Sequence, residues 1–146
     1  HSFPTRRSSD LAEVKVEAVE LFGQKLKVNR KVADVFKRVE ARLQPLAKKD
    51  RTLQPYLKGL GGTFAWRTIA NTNRLSAHSF GISIDLNVGL SNYWEWQRPK
   101  DPVRWTNQIP QVIVDAFEAE GFIWGGRWYH YDTMHFEYRP ELFADK

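Results

Sequence analysis

The chain of 146 residues contains no cysteine and a single methionine. Without cysteine it can build neither a disulfide framework nor a thiolate metal site, and that absence suits either side of a cell membrane. No apolar run approaches the roughly 20 residues that a membrane-crossing helix needs. The Lys and Arg residues are scattered and form no dense run, so the net charge of +5 does not read as a nucleic-acid interface. A modest positive balance suits an anionic polymer or a solvated surface equally well. Histidine is also scarce, at four residues. With His1 set aside in an anomalous N-terminal segment, any imidazole chemistry falls to His78, His130 and His135.

What is present points to a folded domain. Hydrophobic residues make up 42% and aromatic residues 14%, six of them Trp, which argues against disorder. A chain of this length suits one domain with a real core. The first eleven residues, which begin His1-Ser-Phe-Pro-Thr-Arg-Arg, resemble the in-frame translation of a sequencing adapter. This reading treats 1–11 as a non-native leader and 12–146 as a single domain. Arg6, Arg7 and Asp10 in the leader account for +1 of the net charge. Any export signal is left unread.

Two short runs carry the chemistry: Ser76-Ala-His-Ser-Phe-Gly-Ile-Ser-Ile-Asp85 and Asp132-Thr-Met-His135. Ile82, Ile84 and Leu86 alternate with Ser83, Asp85 and Asn87, which predicts a half-buried strand with Asp85 on its polar face. Met134, Phe136 and Tyr138 alternate with His135, Glu137 and Arg139, which predicts a second strand. If the strands are neighbours, His78, Asp85 and His135 can converge on one ion. Asp132 then stands where a turn can aim it at a bound water. A hydrolytic zinc site takes three N/O ligands, an open position and a base that is not a ligand. Each residue also has a plainer reading. A lone histidine is usually a packed or surface residue, Asp85 can cap a turn, Asp132 can close an Asx-turn with Thr133, and Arg67 can form a surface ion pair.

The remaining pattern frames these runs. Val32, Val35, Phe36, Val39 and Leu43 recur at helical spacing, with Asn29 as a candidate N-cap and Pro45 placed past the end. Lys58 to Gly62 reads as a turn before a strand at 63–67. Pro110 opens a second helix, with Ile109, Ile113, Ala116 and Phe117 on one face and Gly121 as its stop. Gly125 and Gly126 break the chain before the last strand. Between Val88 and Gln108 lies an aperiodic stretch holding Tyr93, Trp94, Trp96 and Trp105. It reads either as an aromatic cluster covering the sheet or as a wall of a substrate cleft.

The pattern Ser-x-His-x-x-Gly-x-x-x-Asp, followed by carboxylate-x-x-His, resembles the family of D-alanyl-D-alanine carboxypeptidases and L-alanyl-D-glutamate endopeptidases. These are zinc peptidases that share a fold with lysostaphin-type peptidases and the hedgehog signalling domain. The resemblance runs from Leu53 to Leu142. It implies an α+β fold in which a small antiparallel sheet carries the zinc site between flanking helices. It implies one zinc per chain held by His78, Asp85 and His135, with Asp132 as general base. Arg67, in Gly-Thr-Phe-Ala-Trp-Arg, falls where the family keeps an arginine facing the substrate. Ser76, Trp66, Trp94 and His130 are the candidate substrate or surrounding contacts. Many carboxypeptidase members carry Glu as the base, often as Glu-x-Trp-His, whereas Asp132-Thr-Met-His is closer to the endopeptidase branch.

The implied substrate is the stem peptide of peptidoglycan, cut by a monomeric enzyme of the bacterial envelope, periplasmic or extracellular, with the cytoplasm left open. Arg67 can steady a developing oxyanion or pair with a substrate carboxylate. The alternative is a zinc-binding recognition module of the hedgehog type that does not cleave. Asp132 separates the two, because a module without catalysis needs no base.

Overall fold

A computed structural model describes residues 15–61, 80–97 and 105–143. Among them the fold is α+β, with small antiparallel sheets flanked by helices. The expected strand at 63–67 and the leader at 1–11 lie outside the described residues.

The described chain opens with a hairpin of β1 (Val16–Leu21) and β2 (Gln24–Asn29), paired in register from Val16↔Asn29 to Leu21↔Gln24. Its two-residue turn places Phe22 at φ 51 and Gly23 at φ 79. Positive φ at both turn residues matches the twist of the flanking strands. A phenylalanine tolerates that backbone because it is anchored twice. Its amide donates to Glu40 Oε2 at 2.8 Å, and its ring packs against the core.

Helix α1 (Ala33–Lys49) follows a short 3-10 turn at Arg30–Val32. Asn29 caps that turn, its side chain accepting from the Lys31 amide. The apolar face forecast from periodicity is the buried one: Val35, Phe36, Val39 and Leu43 are in the core. The predicted end is wrong. Pro45 sits inside the helix, which continues to Lys49. Proline lacks the N–H that would bond one turn back and usually stops a helix. Here Ala47 in the following turn is buried in the core, so tertiary packing carries the helix past the break.

The central sheet is ordered β3–β5–β4, all antiparallel, with β3 at Ser83–Asp85, β4 at Phe122–Trp124 and β5 at His135–Tyr138. Gly61 bridges the outer side of β3, exchanging two backbone hydrogen bonds with Asp85 at 2.9 and 3.0 Å. Helix α2 (Gln111–Ala119) begins after Pro110 and gives way to Gly121, as the sequence predicts. Ile109, Ile113, Ala116 and Phe117 are all buried. Phe117 stacks on Phe136 of β5 at 4.2 Å and meets Phe122 edge-on at 5.2 Å. Phe36 of α1 meets Phe122 from the other helix at 5.3 Å. These aromatic contacts clamp both helices onto the sheet that carries the polar runs. The aperiodic stretch is partly regular, with 3-10 turns at Val88–Leu90 and Trp94–Gln97.

Candidate active site

The two predicted strands are direct neighbours. β3 and β5 pair antiparallel, and the register sets Asp85 opposite His135. Side chains at directly opposed positions share one face of a sheet, with Cβ atoms about 5 Å apart. Asp85 Oδ1 lies 3.2 Å from His135 Nδ1. The other ring nitrogen, Nε2, lies 2.7 Å from Glu137 Oε1. Glu137 in turn meets Arg139 Nε at 2.7 Å. A row of alternating charge therefore runs along the polar face of β5 and across to β3.

That face is more deeply buried than the predicted half-exposed pattern. Ser83 and Glu137 have no exposed surface, and His135 is 7% exposed. Buried charge is tolerated only when it is compensated, and here His135 is hydrogen-bonded at both ring nitrogens while Arg139 is held to Glu137 as an ion pair. Trp128 packs its ring against His135 at 5.6 Å. The Asp85 carboxylate keeps a quarter of its side-chain surface open, so solvent reaches the row from that end.

Electrostatics follow from the geometry. Burial by itself would favour a neutral imidazole, but Asp85 on Nδ1 and Glu137 on Nε2 outweigh it and push the His135 pKa up to about 9. Burial would also raise the Glu137 pKa, yet the contacts to His135 and Arg139 hold it below the ordinary carboxylate value. At neutral pH the metal-free site thus carries a proton between a nitrogen and a carboxylate oxygen. A cation binding there must displace it.

The second run forms the corner of the site. The His135 amide donates to the Asp132 carbonyl at 3.2 Å, closing a tight turn over Asp132, Thr133, Met134 and His135. Thr133 holds the turn from two sides. Its carbonyl accepts from the Trp124 indole at 2.9 Å, and its amide donates to the Asn92 carbonyl at 2.9 Å. The Leu86 amide adds a bond of 2.9 Å to the Met134 carbonyl, tying the turn to the end of β3. Gly125 packs beneath. A Cβ there would fall 2.5 Å from the Asp132 carbonyl oxygen and 3.3 Å from His135 Cβ. The chain passes this close to the site because residue 125 has no side chain.

Of the residues singled out from sequence, Asp85 and His135 are in contact, and Asp132 heads the turn that ends at His135. His130 is exposed and stacks on Trp94 at 4.0 Å, with Tyr129 tilted against it at 5.0 Å. Trp105 caps the end of the sheet, edge-on to Trp124 at 6.5 Å, with its indole donating to the Gly126 carbonyl at 2.6 Å. His78, Ser76, Trp66 and Arg67 lie outside the described residues. Glu137, Trp128 and Gly125 had no assigned place in the predicted site. For Glu137 the signal was legible, since residues two apart on a strand share a face.

The donor set can be tested against zinc. Bonds of about 2.0–2.1 Å in tetrahedral geometry separate two N/O donors by about 3.3 Å. The Asp85 to His135 separation is 3.2 Å, and an imidazole nitrogen with a carboxylate oxygen is a donor pair that zinc takes. The pair fits the ion. Among the described residues no group of three or more His, Asp or Glu side chains forms a metal site.

The site defines an α+β domain whose central strand pair sets a carboxylate against a buried imidazole, with a second carboxylate at the adjoining turn. Residues 70–138 match the D-alanyl-D-alanine carboxypeptidase family, which bears out the resemblance read from the motifs and supports a peptidase. The matched segment includes His78, Asp85, Asp132 and His135 and leaves out Trp66 and Arg67. No curated protein matches the chain at a significant level.

Proposed function

We propose that the protein is a zinc-dependent peptidase that hydrolyses peptidoglycan stem peptides in the bacterial envelope. The observation that carries this reading is the cross-strand pair itself, with Asp85 Oδ1 and His135 Nδ1 3.2 Å apart and Asp132 at the head of the adjoining turn. The family match supports the peptidase class. Asp85, His135 and His78 would hold the zinc. When bound, the ion supplies Lewis acidity and lowers the pKa of water toward about 7.

The chain's own residues divide the remaining work. Asp132 accepts a proton from the attacking water and returns it to the leaving amine. The backbone turn between Asp132 and His135 fixes the distance between base and ligand. Arg67, one of the residues taken from the resemblance, pairs with a substrate carboxylate or steadies the oxyanion. Stem peptides offer such carboxylates at D-Glu and at the terminal D-Ala. The domain spans 12–146 in this reading.

The deciding experiment is mass spectrometry of a defined muropeptide digested with the zinc-loaded protein. Loss of a single alanine assigns a D-alanyl-D-alanine carboxypeptidase. Release of an intact peptide beginning with D-Glu assigns an L-alanyl-D-glutamate endopeptidase. Zinc retention without cleavage of any stem peptide would reject the enzyme in favour of a binding module.

A further inference from the structure

We propose that Glu137 is a positioning residue, which fixes the ring and the tautomer of His135 so that Nδ1, the nitrogen facing Asp85, is the one left free for a cation. The inference rests on the zinc reading of the Asp85–His135 pair and adds to it a residue that is not itself a ligand.

Glu137 has no exposed surface. Its Oε1 lies 2.7 Å from His135 Nε2, and its Oε2 lies 2.7 Å from Arg139 Nε. An ionised carboxylate can only accept hydrogen bonds, and a guanidinium can only donate them. The positive charge of Arg139, 2.7 Å from Oε2, favours the ionised, accepting form of Glu137, and His135 must present a hydrogen at Nε2 to the carboxylate oxygen 2.7 Å away. A neutral imidazole has one N–H, so the lone pair falls on Nδ1, which faces Asp85 at 3.2 Å. Strand geometry makes the arrangement stiff. His135 and Glu137 occupy alternate positions of β5, and β3 and β4 flank that strand on both sides. A buried charge pair usually adds little stability over an apolar replacement of similar size, so the Glu137–Arg139 pair is better explained by what it does to the imidazole.

The isosteric amide gives the sharpest test. In Glu137→Gln, the Arg139 cation beside position 137 favours the negative end of the amide dipole, so the amide oxygen faces Arg139. The amide NH2 then faces His135 Nε2 and donates to it. Nε2 becomes the acceptor, the ring hydrogen moves to Nδ1, and Nδ1 can no longer coordinate. Loss of such a partner beyond the ligands typically costs about 10–100-fold in metal affinity.

The readout is imidazole nitrogen-15 NMR on the metal-free protein, at a pH above the His135 pKa of about 9, followed by zinc titration. In the wild type the expected neutral form carries its hydrogen on Nε2. A hydrogen on Nδ1 would overturn the proposal, and this measurement needs no variant to fold. In Glu137→Gln the expected results are an inverted tautomer and zinc affinity down about 10–100-fold, with a lowered melting temperature because Arg139 keeps its charge and loses its carboxylate. Unchanged tautomer and unchanged affinity in that variant would also overturn it. A wild type that shows the Nε2 hydrogen but takes up no zinc counts against the metal reading alone.

Discussion

At the residue scale, Asp132 and His135 are three positions apart and sit on one turn, yet they should respond differently to substitution. His135 offers Nδ1 toward Asp85, so His135→Ala removes one donor of the pair and should abolish stoichiometric zinc binding. Asp132 heads the turn through its backbone carbonyl, which Asp132→Asn retains. That variant should hold zinc near wild-type level while turnover falls on the order of 10²–10⁴-fold, the usual contribution of a general base. Metal analysis and stem-peptide turnover on the two variants check the division. Equal zinc loss in both would make Asp132 a ligand, and full activity of Asp132→Asn would move the base elsewhere. The Asp85–His135 contact was legible in the sequence because alternation sets the facing of each strand, and only the pairing of the two strands had to be supplied. The depth of burial was not legible. Ser83, Glu137 and Arg139 read as polar positions of half-buried strands, and only the folded chain shows Ser83 and Glu137 fully buried and Glu137 paired with Arg139.

At the element scale, sequence reading succeeded where a single apolar face decides the structure and failed where packing overrides local preference. The two helices were found from periodicity. The end of α1 was misplaced at Pro45, because what carries the helix onward is the burial of Ala47, a tertiary contact. The strand β4 was missed since three residues, Phe122–Trp124, are too few to show alternation. Gly125 was read only as a break in the chain, whereas its close approach to Asp132 sets the floor of the site. Gly125→Ala places a methyl against a backbone oxygen, which cannot swing away as a flexible side chain would. Overpacking of this kind costs about 1–3 kcal/mol. The variant should melt lower than wild type and lose turnover, because the Asp132 to His135 turn must shift to make room. A thermal melt with parallel activity assays checks this. Wild-type values for both would show that the turn yields without moving the site.

At the scale of the whole molecule, the sheet gains its rigidity from two helices that are also tied to each other at the surface. Glu120, just past the end of α2, receives Arg38 Nε at 2.8 Å and Arg42 Nε at 2.6 Å, both from α1. One carboxylate thus joins residues one turn apart on the neighbouring helix and holds the two helices in the relative position that packs Phe36 and Phe117 on Phe122. The hydrogen bonds from Arg38 and then Arg42 lower the Glu120 pKa below its ordinary value of 4.5. The guanidinium groups are half exposed, so solvent screening keeps the gain small. The sign follows from linkage. A carboxylate whose folded pKa is depressed contributes stability that is fully present above its unfolded value and is lost as pH falls through the folded one. Glu120→Gln should therefore melt slightly below wild type at neutral pH. The gap should hold down to about pH 5 and close as the pH drops further below 4.5, where the wild-type carboxylate takes up its proton. Thermal melts of both proteins across that range test the clamp. A gap that persists unchanged into strong acid would mean that Glu120 acts through packing and not through its charge.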